Sequence, residues 1–267
     1  MASCWGTTKA SAKIKVGLTT LFTIHHLKGV SRPGTTGYKQ LMPLLPLLVL
    51  GSFQSAPFEK TSSYHDQLIE GFTVKVSAEA RKAPRELEPA LALLRLRFTE
   101  IARYVPKESL SIIRRVPIWV ERNDPKVPCM CYHDDVGWLK ENGMNPDKAK
   151  GVELANLKNF VSWSFDQPLM VLHEYAHAFH AAKYGFEGEF VKKAYDNAMD
   201  KHLYDMVKYF RGPDKKAYAA TNQMEYFSEL SEALFGYNDF FPFTRPELEK
   251  HDPVGFEMVK DAWGLKN

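Results

Sequence analysis

Apolar and polar residues alternate along Gly71–Phe72–Thr73–Val74–Lys75–Val76–Ser77, the period of a strand with one buried face. A longer repeat follows between Pro84 and Tyr104. There Leu87, Leu91, Leu94, Leu96, Phe98 and Ile101 recur at helical spacing, opened by Pro84 or Pro89 and closed before Pro106. Val116–Glu121 and Gly151–Phe160 read as further strands, and 123–145, dense in Asp, Pro, Gly and Asn, as an irregular surface loop. From Asp166 onward the pattern is helical. Asp166 is expected to cap a helix that carries Pro168 in its first turn and ends near Tyr184, before Gly185. More helices are expected over 189–202 and 222–235, with a final pair beginning near Pro246 and Pro253. Early strands and late helices, without regular βαβ alternation, predict an α+β fold with a small N-terminal sheet and a mainly helical C-terminal half.

The 267 residues are ordinary in composition, which excludes collagen, coiled coil and wholesale disorder. Formal net charge is +3, but six of the 35 basic residues and none of the 32 acidic ones fall within residues 1–56. The rest of the chain is mildly acidic, so the charge does not indicate a nucleic-acid partner. The basic segment, rich in Ser, Thr and Gly, ends in an apolar run from Leu41 to Leu50 and small residues up to Ala56. It suits a secretory signal cleaved near Ala56, an organellar transit peptide, or a disordered extension. Secretion is the favoured location, with an organelle or the cytoplasm as alternatives. The apolar run falls short of the roughly 20 residues needed to span a bilayer, so stable membrane insertion is not expected. Residues 57–267 are expected to form one domain, acting as a monomer. Cys129 and Cys131 are too close in sequence for an unstrained mutual disulfide.

His173–Glu174–Tyr175–Ala176–His177 is an H-E-x-x-H motif. On a helix, His173 and His177 project from one face a turn apart, and both rings can reach one Zn²⁺ at about 2.0–2.1 Å. Glu174, about 100° further round, can reach a water at the metal. The bland alternative is an amphipathic helix with two satisfied histidines and a solvated Glu. His180 shares the ligand face, but about 10.5 Å of helix rise separates it from His173, so one ion cannot hold all three. It is expected to support the ligands, face the substrate or be solvated. Downstream, Glu225, Glu229 and Glu232 form an acidic stripe. Such a stripe is by default a solvated helix face, and Glu225 also has capping-box spacing to Asn222. Alternatively Glu225 completes a His₂Glu site and Glu229 accepts a hydrogen bond from the far nitrogen of a ligand histidine.

His173–Glu174–x–x–His177, followed by Tyr218, six residues, and Glu225–Tyr226–Phe227–Ser228–Glu229, resembles the catalytic domain of lethal-factor-type gluzincin metallopeptidases. Anthrax lethal factor and the pro-Pro endopeptidases are better-known members. The resemblance covers roughly residues 168–240. It implies a zincin-like fold, one zinc per chain held by His173, His177 and Glu225, and a peptide or protein substrate. Glu174 would then act as general base, and Tyr218 would point toward the substrate carbonyl. Neither His180 nor the stretch from Cys129 to Trp138 belongs to the shared pattern. Cys129, Cys131, His133, Asp134 and Asp135 in that stretch supply ligand types for a second metal but fit no standard spacing. An extended peptide is expected to pair along Gly151–Phe160. Rival readings are a catalytically silent zincin-fold binding or inhibitory module and a purely structural zinc protein.

Overall fold

The chain enters its sheet through a hairpin, strands β1 (His65–Ile69) and β2 (Phe72–Val76), paired antiparallel across Glu70 and Gly71. Both turn residues have positive φ, +52° and +85°, as a type I′ two-residue turn requires. Three short helices and a long one follow or interleave with the remaining strands. They are α1 (Ala78–Arg81), α2 (Pro84–Tyr104) and α3 (Lys107–Ile113), then β3 (Ile118–Val120), β4 (Met130–His133), α4 (Val136–Glu141) and β5 (Gly151–Leu154). The sheet order is β1-β2-β3-β5-β4, with β2, β3 and β5 parallel and the outer strands antiparallel. The fold is α+β, with a small mixed sheet.

This computed structural model describes residues 58–265, which pack as one unit. The leader expected over residues 1–56 lies outside the described residues. Among those described, no helix is long and apolar enough to cross a membrane.

The helical half comprises α5 (Leu157–Trp163), α6 (Met170–Lys183), α7 (Glu189–Asp200), α8 (Gln223–Phe235), α9 (Arg245–His251) and α10 (Pro253–Trp263). A small antiparallel hairpin, β6 (Val207–Tyr209) and β7 (Gly212–Lys215), sits between α7 and α8. α6 is central. Its Tyr175 meets Phe72 of β2 and Phe98 of α2 edge-on, at 5.1 and 5.7 Å between ring centroids. Its Phe179 stacks on Trp263 of α10 at 4.1 Å. Aromatic burial on both sides thus clamps α6 between the sheet layer and the C-terminal helices.

The other face of the sheet buries charge. Glu153 of β5 is fully buried, bonded to His133 at 2.6 Å and to Lys148, which also pairs with Glu121 at 2.8 Å. Each buried charge therefore has an opposite partner, without which its desolvation would be prohibitive.

Four expectations change. The loop over 123–145 contains β4 and α4; the strand's four residues are all buried, so it has no alternating pattern. β5 stops at Leu154, where Asn156 caps α5 by accepting from the Asn159 amide at 2.9 Å. β5 is also interior, paired with β3 and β4, so it offers no edge to a peptide; the edge on its side of the sheet is β4. Finally, α6 starts at Met170 rather than after Asp166, whose carboxylate is taken by Arg211. Its C-terminus falls where expected, with Gly185 at φ +71°.

Candidate metal centre

Residues four apart on α6 bring His173 and His177 to one face, opposite α8. α8 begins where Asn222 accepts from the amides of Met224 and Glu225, each at 2.9 Å. That cap occupies the Glu225 backbone and leaves its carboxylate for other work. Its Oε2 lies 3.1 Å from His173 Nε2 and 3.2 Å from His177 Nε2, while the two Nε2 atoms are 3.1 Å apart. Its Oε1 accepts from the Tyr218 hydroxyl at 2.9 Å. The acidic stripe is not solvated: Glu225, Glu229 and Glu232 are all buried.

Three ligand atoms on one cation, with bonds of about 2.0–2.1 Å at tetrahedral angles, would be about 3.3 Å apart. The observed triangle, with sides of 3.1 to 3.2 Å, is close to that spacing. Two imidazole nitrogens and a carboxylate oxygen are also a donor set that zinc accepts. The residues present therefore fit the ion implied by the sequence motif.

Behind the triangle, the far nitrogens of both rings are engaged. His173 Nδ1 lies 2.7 Å from Glu232 Oε1, and His177 Nδ1 lies 3.1 Å from Ser228 Oγ. With Nε2 turned to a cation, each Nδ1–H would donate outward, which would fix tautomer and ring orientation. Glu229, expected in this role, is 3.8 Å from His173 Nδ1, and the close contact goes to Glu232. Burial, reinforced by Asp239 and Glu232, pushes the Glu229 pKa well above the usual carboxylate range. Burial and Glu232 likewise raise Asp239 to about 6. Burial opposes charge on His173, yet its bonds to Glu225 and Glu232 hold its pKa well above the ordinary value. Burial also opposes charge on Glu225, but His177 and His173 prevail and keep the carboxylate ionised.

Glu174 sits beside this face, and its Oε2 accepts from the backbone amide of Tyr132 on β4 at 2.8 Å. The edge strand thus fixes the carboxylate that follows the first histidine. Tyr218 opens a 3-10 turn, Tyr218–Ala220, and its ring stacks on His173 at 6.3 Å between centroids.

His180 departs from expectation. It is fully buried between Phe186 and Phe227, at 5.2 and 5.1 Å, and neither ring nitrogen has a hydrogen-bond partner among the described residues. Burial, with the nearby His177, lowers its pKa to about 3. It is a neutral packing residue, neither solvated nor bonded to a ligand.

The second metal site suggested by 129–135 does not assemble. His133 binds Glu153, Asp134 pairs with Lys150, and Asp135 caps α4 by accepting from Gly137. Burial, and then the charge of Glu174, push the Cys129 thiol up to about 12, so it stays protonated. Among the described residues, the donor groups close enough to hold a metal are His173–His177–Glu225 and His173–Glu229–Glu232, which share His173.

Comparison with known proteins finds no matching family model, curated protein or solved structure. The site is therefore read from its own geometry. Ser228 has no role in the sequence reading, and Glu232 appears there only as a member of the acidic stripe. Both lie on the face of α8 that carries Glu225, at i+3 and i+7, so projecting the helix from Glu225 singles them out.

Proposed function

We propose that this chain is a zinc-dependent metalloendopeptidase with a zincin-like domain of the gluzincin type. The near-equilateral triangle of His173, His177 and Glu225 carries the reading, because these atoms match the ligand spacing of one tetrahedral cation. When bound, zinc would supply Lewis acidity, activating water near neutral pH and polarising a scissile carbonyl.

The chain's own groups divide the remaining work. Glu174 takes a proton from the attacking water and passes it to the departing amine, acting first as base and then as acid. Its bond from the Tyr132 amide fixes one oxygen, which leaves the other for the proton. Tyr218 donates to Glu225 in this state and would turn to donate to the oxyanion as charge develops there. Glu232 and Ser228 hold the two imidazoles in register. β4, rather than β5, is the strand beside which an extended peptide would lie, since it supplies the edge and touches Glu174.

The deciding experiment sets wild type against Glu174→Gln on a diverse peptide library, with bound zinc measured for both. Cleavage by wild type, its loss in the variant and equal zinc content are expected. Unchanged cleavage by the variant would refute the role of Glu174. Zinc-loaded wild type that cleaves nothing would point instead to a silent binding module.

A further inference from the structure

A cavity of about 480 Å³ opens beside the metal centre and shares Tyr218 with it. Trp163, Tyr209, Tyr218 and Phe240 give it aromatic walls, while Lys215 and Lys216 supply its cationic groups. Both lysines belong to the segment between α7 and α8, and that segment is anchored rather than loose. Tyr209 bridges to Phe240, the Phe210 amide donates to the Asp239 carbonyl at 3.1 Å, and the Phe241 amide donates to the Lys208 carbonyl at 2.9 Å.

The charges of the cavity are unevenly satisfied. Its one lining carboxylate, Asp166, is bound by Arg211. Lys215 Nζ lies over the Tyr209 and Phe240 rings, 3.6 and 4.9 Å from their centroids. Neither Lys215 nor Lys216 forms an ion pair with a carboxylate among the described residues. Asp239 feels the charge of Lys215 but spends its own Oδ2 on Gln167, at 3.2 Å. Aromatic walls alone would suit an apolar side chain. Two ammonium groups without a carboxylate partner favour an anion, and they repel a basic side chain.

We propose that this cavity is a substrate subsite for an acidic residue, Asp or Glu, with the carboxylate between Lys215 and Lys216 and the stem against Tyr209 and Tyr218. The assignment rests on the metallopeptidase reading only in supposing that the bound molecule is a peptide. It names the substrate class that reading leaves open: peptides with an acidic residue close to the scissile bond.

The test uses full-length, zinc-loaded protein made turnover-deficient by Glu174→Gln, and reads binding by fluorescence anisotropy. Probes are fluorescent peptides on one scaffold, with Glu, Ala or Lys placed at each position in turn. One position should favour Glu over Lys by about 10-fold or more, shrinking as salt screens the exposed charges. K215E/K216E in that background should invert the preference, and K215Q/K216Q should erase it. All four changes fall on exposed side chains, and thermal melts within about 2 °C of the parent would confirm folding. A preference below 3-fold at every position, or one that survives charge reversal, overturns the subsite. Parallel cleavage assays with otherwise wild-type protein separate the two claims. Cleavage without an acidic preference refutes the subsite alone. Selective binding without cleavage sustains the subsite and refutes the peptidase.

Discussion

Glu232 is the sharpest place to perturb the proposed metal centre without touching a proposed ligand. Its Oε1 accepts from His173 Nδ1 at 2.7 Å in a buried setting, so the bond is short and charge-assisted. Groups that orient a metal-bound imidazole typically account for about 10–100-fold in metal affinity. Burial and charge place Glu232 in the upper part of that range, but Glu229 limits the loss. Glu229 is 3.8 Å from the same nitrogen, and Glu232 is one of the charges that keep it protonated. Removing Glu232 eases ionisation of Glu229, against which burial and Asp239 still act, and lets it move in. Glu232→Ala should therefore weaken zinc binding about 30-fold, and Glu232→Ala with Glu229→Gln about 100-fold or more. Glu232→Gln keeps an acceptor without the charge and should cost about 10-fold. Ser228→Ala removes only a neutral bond to His177, worth about 1 kcal/mol, and should cost about 5-fold. Competition against a fluorescent chelator at neutral pH measures all four, with circular dichroism to confirm folding. If Glu232→Ala binds zinc within 3-fold of wild type, or if Ser228→Ala loses more, the orienting role assigned to Glu232 is wrong.

Two further outcomes are expected. Tyr218→Phe should lower kcat about 10-fold or more while zinc content is retained, because the hydroxyl is assigned to the transition state; loss of zinc instead would reassign it to holding Glu225. Asp239, raised from 3.8 to about 6 chiefly by burial, holds in the native state a proton that the unfolded chain releases at lower pH. Its contribution to stability is complete below about pH 4 and is lost as pH rises through 6. Asp239→Asn mimics the protonated form, so metal-free variant and wild type should melt together near pH 4. At pH 7.5 the variant should melt higher, by about 4–8 °C for an effect of roughly 2 kcal/mol in a domain this size. A difference in Tm that does not change with pH would show that Asp239 is not the titrating group.

What the chain made legible, and what it hid, divides along a physical line. α2 begins and ends where Pro84 and Pro106 place it, and α8 starts after Asn222, because these limits depend on local backbone chemistry. His173, His177 and the stripe on α8 were readable for the same reason, since helical spacing dictates which side chains share a face. Which glutamate meets His173 Nδ1 is different. It depends on how α6 and α8 lie against each other, and that contact selects Glu232 over Glu229 by about one turn. His180 shows the limit again: its azimuth matches the ligands, but its rise along the axis carries it beneath Phe186, which arrives from beyond the helix end.

The hairpin is the extreme case. β7, Gly212–Pro213–Asp214–Lys215, is fully exposed and built from residues that disfavour strands. It exists because β6 pairs with it and docks on the segment around Phe240, a contact with no local signature. The same hairpin draws Asp166 away from the start of α6, through Arg211, and brings Lys215 and Lys216 to the cavity beside Tyr218. The motif that names a chemistry is thus local, while the surface that would choose a substrate is assembled from distant segments. A motif can therefore identify the reaction and remain silent on its target. The proposed subsite puts that choice in the contacts of residues 207–216 with residues 238–241, where substitutions should alter selectivity while leaving metal binding intact.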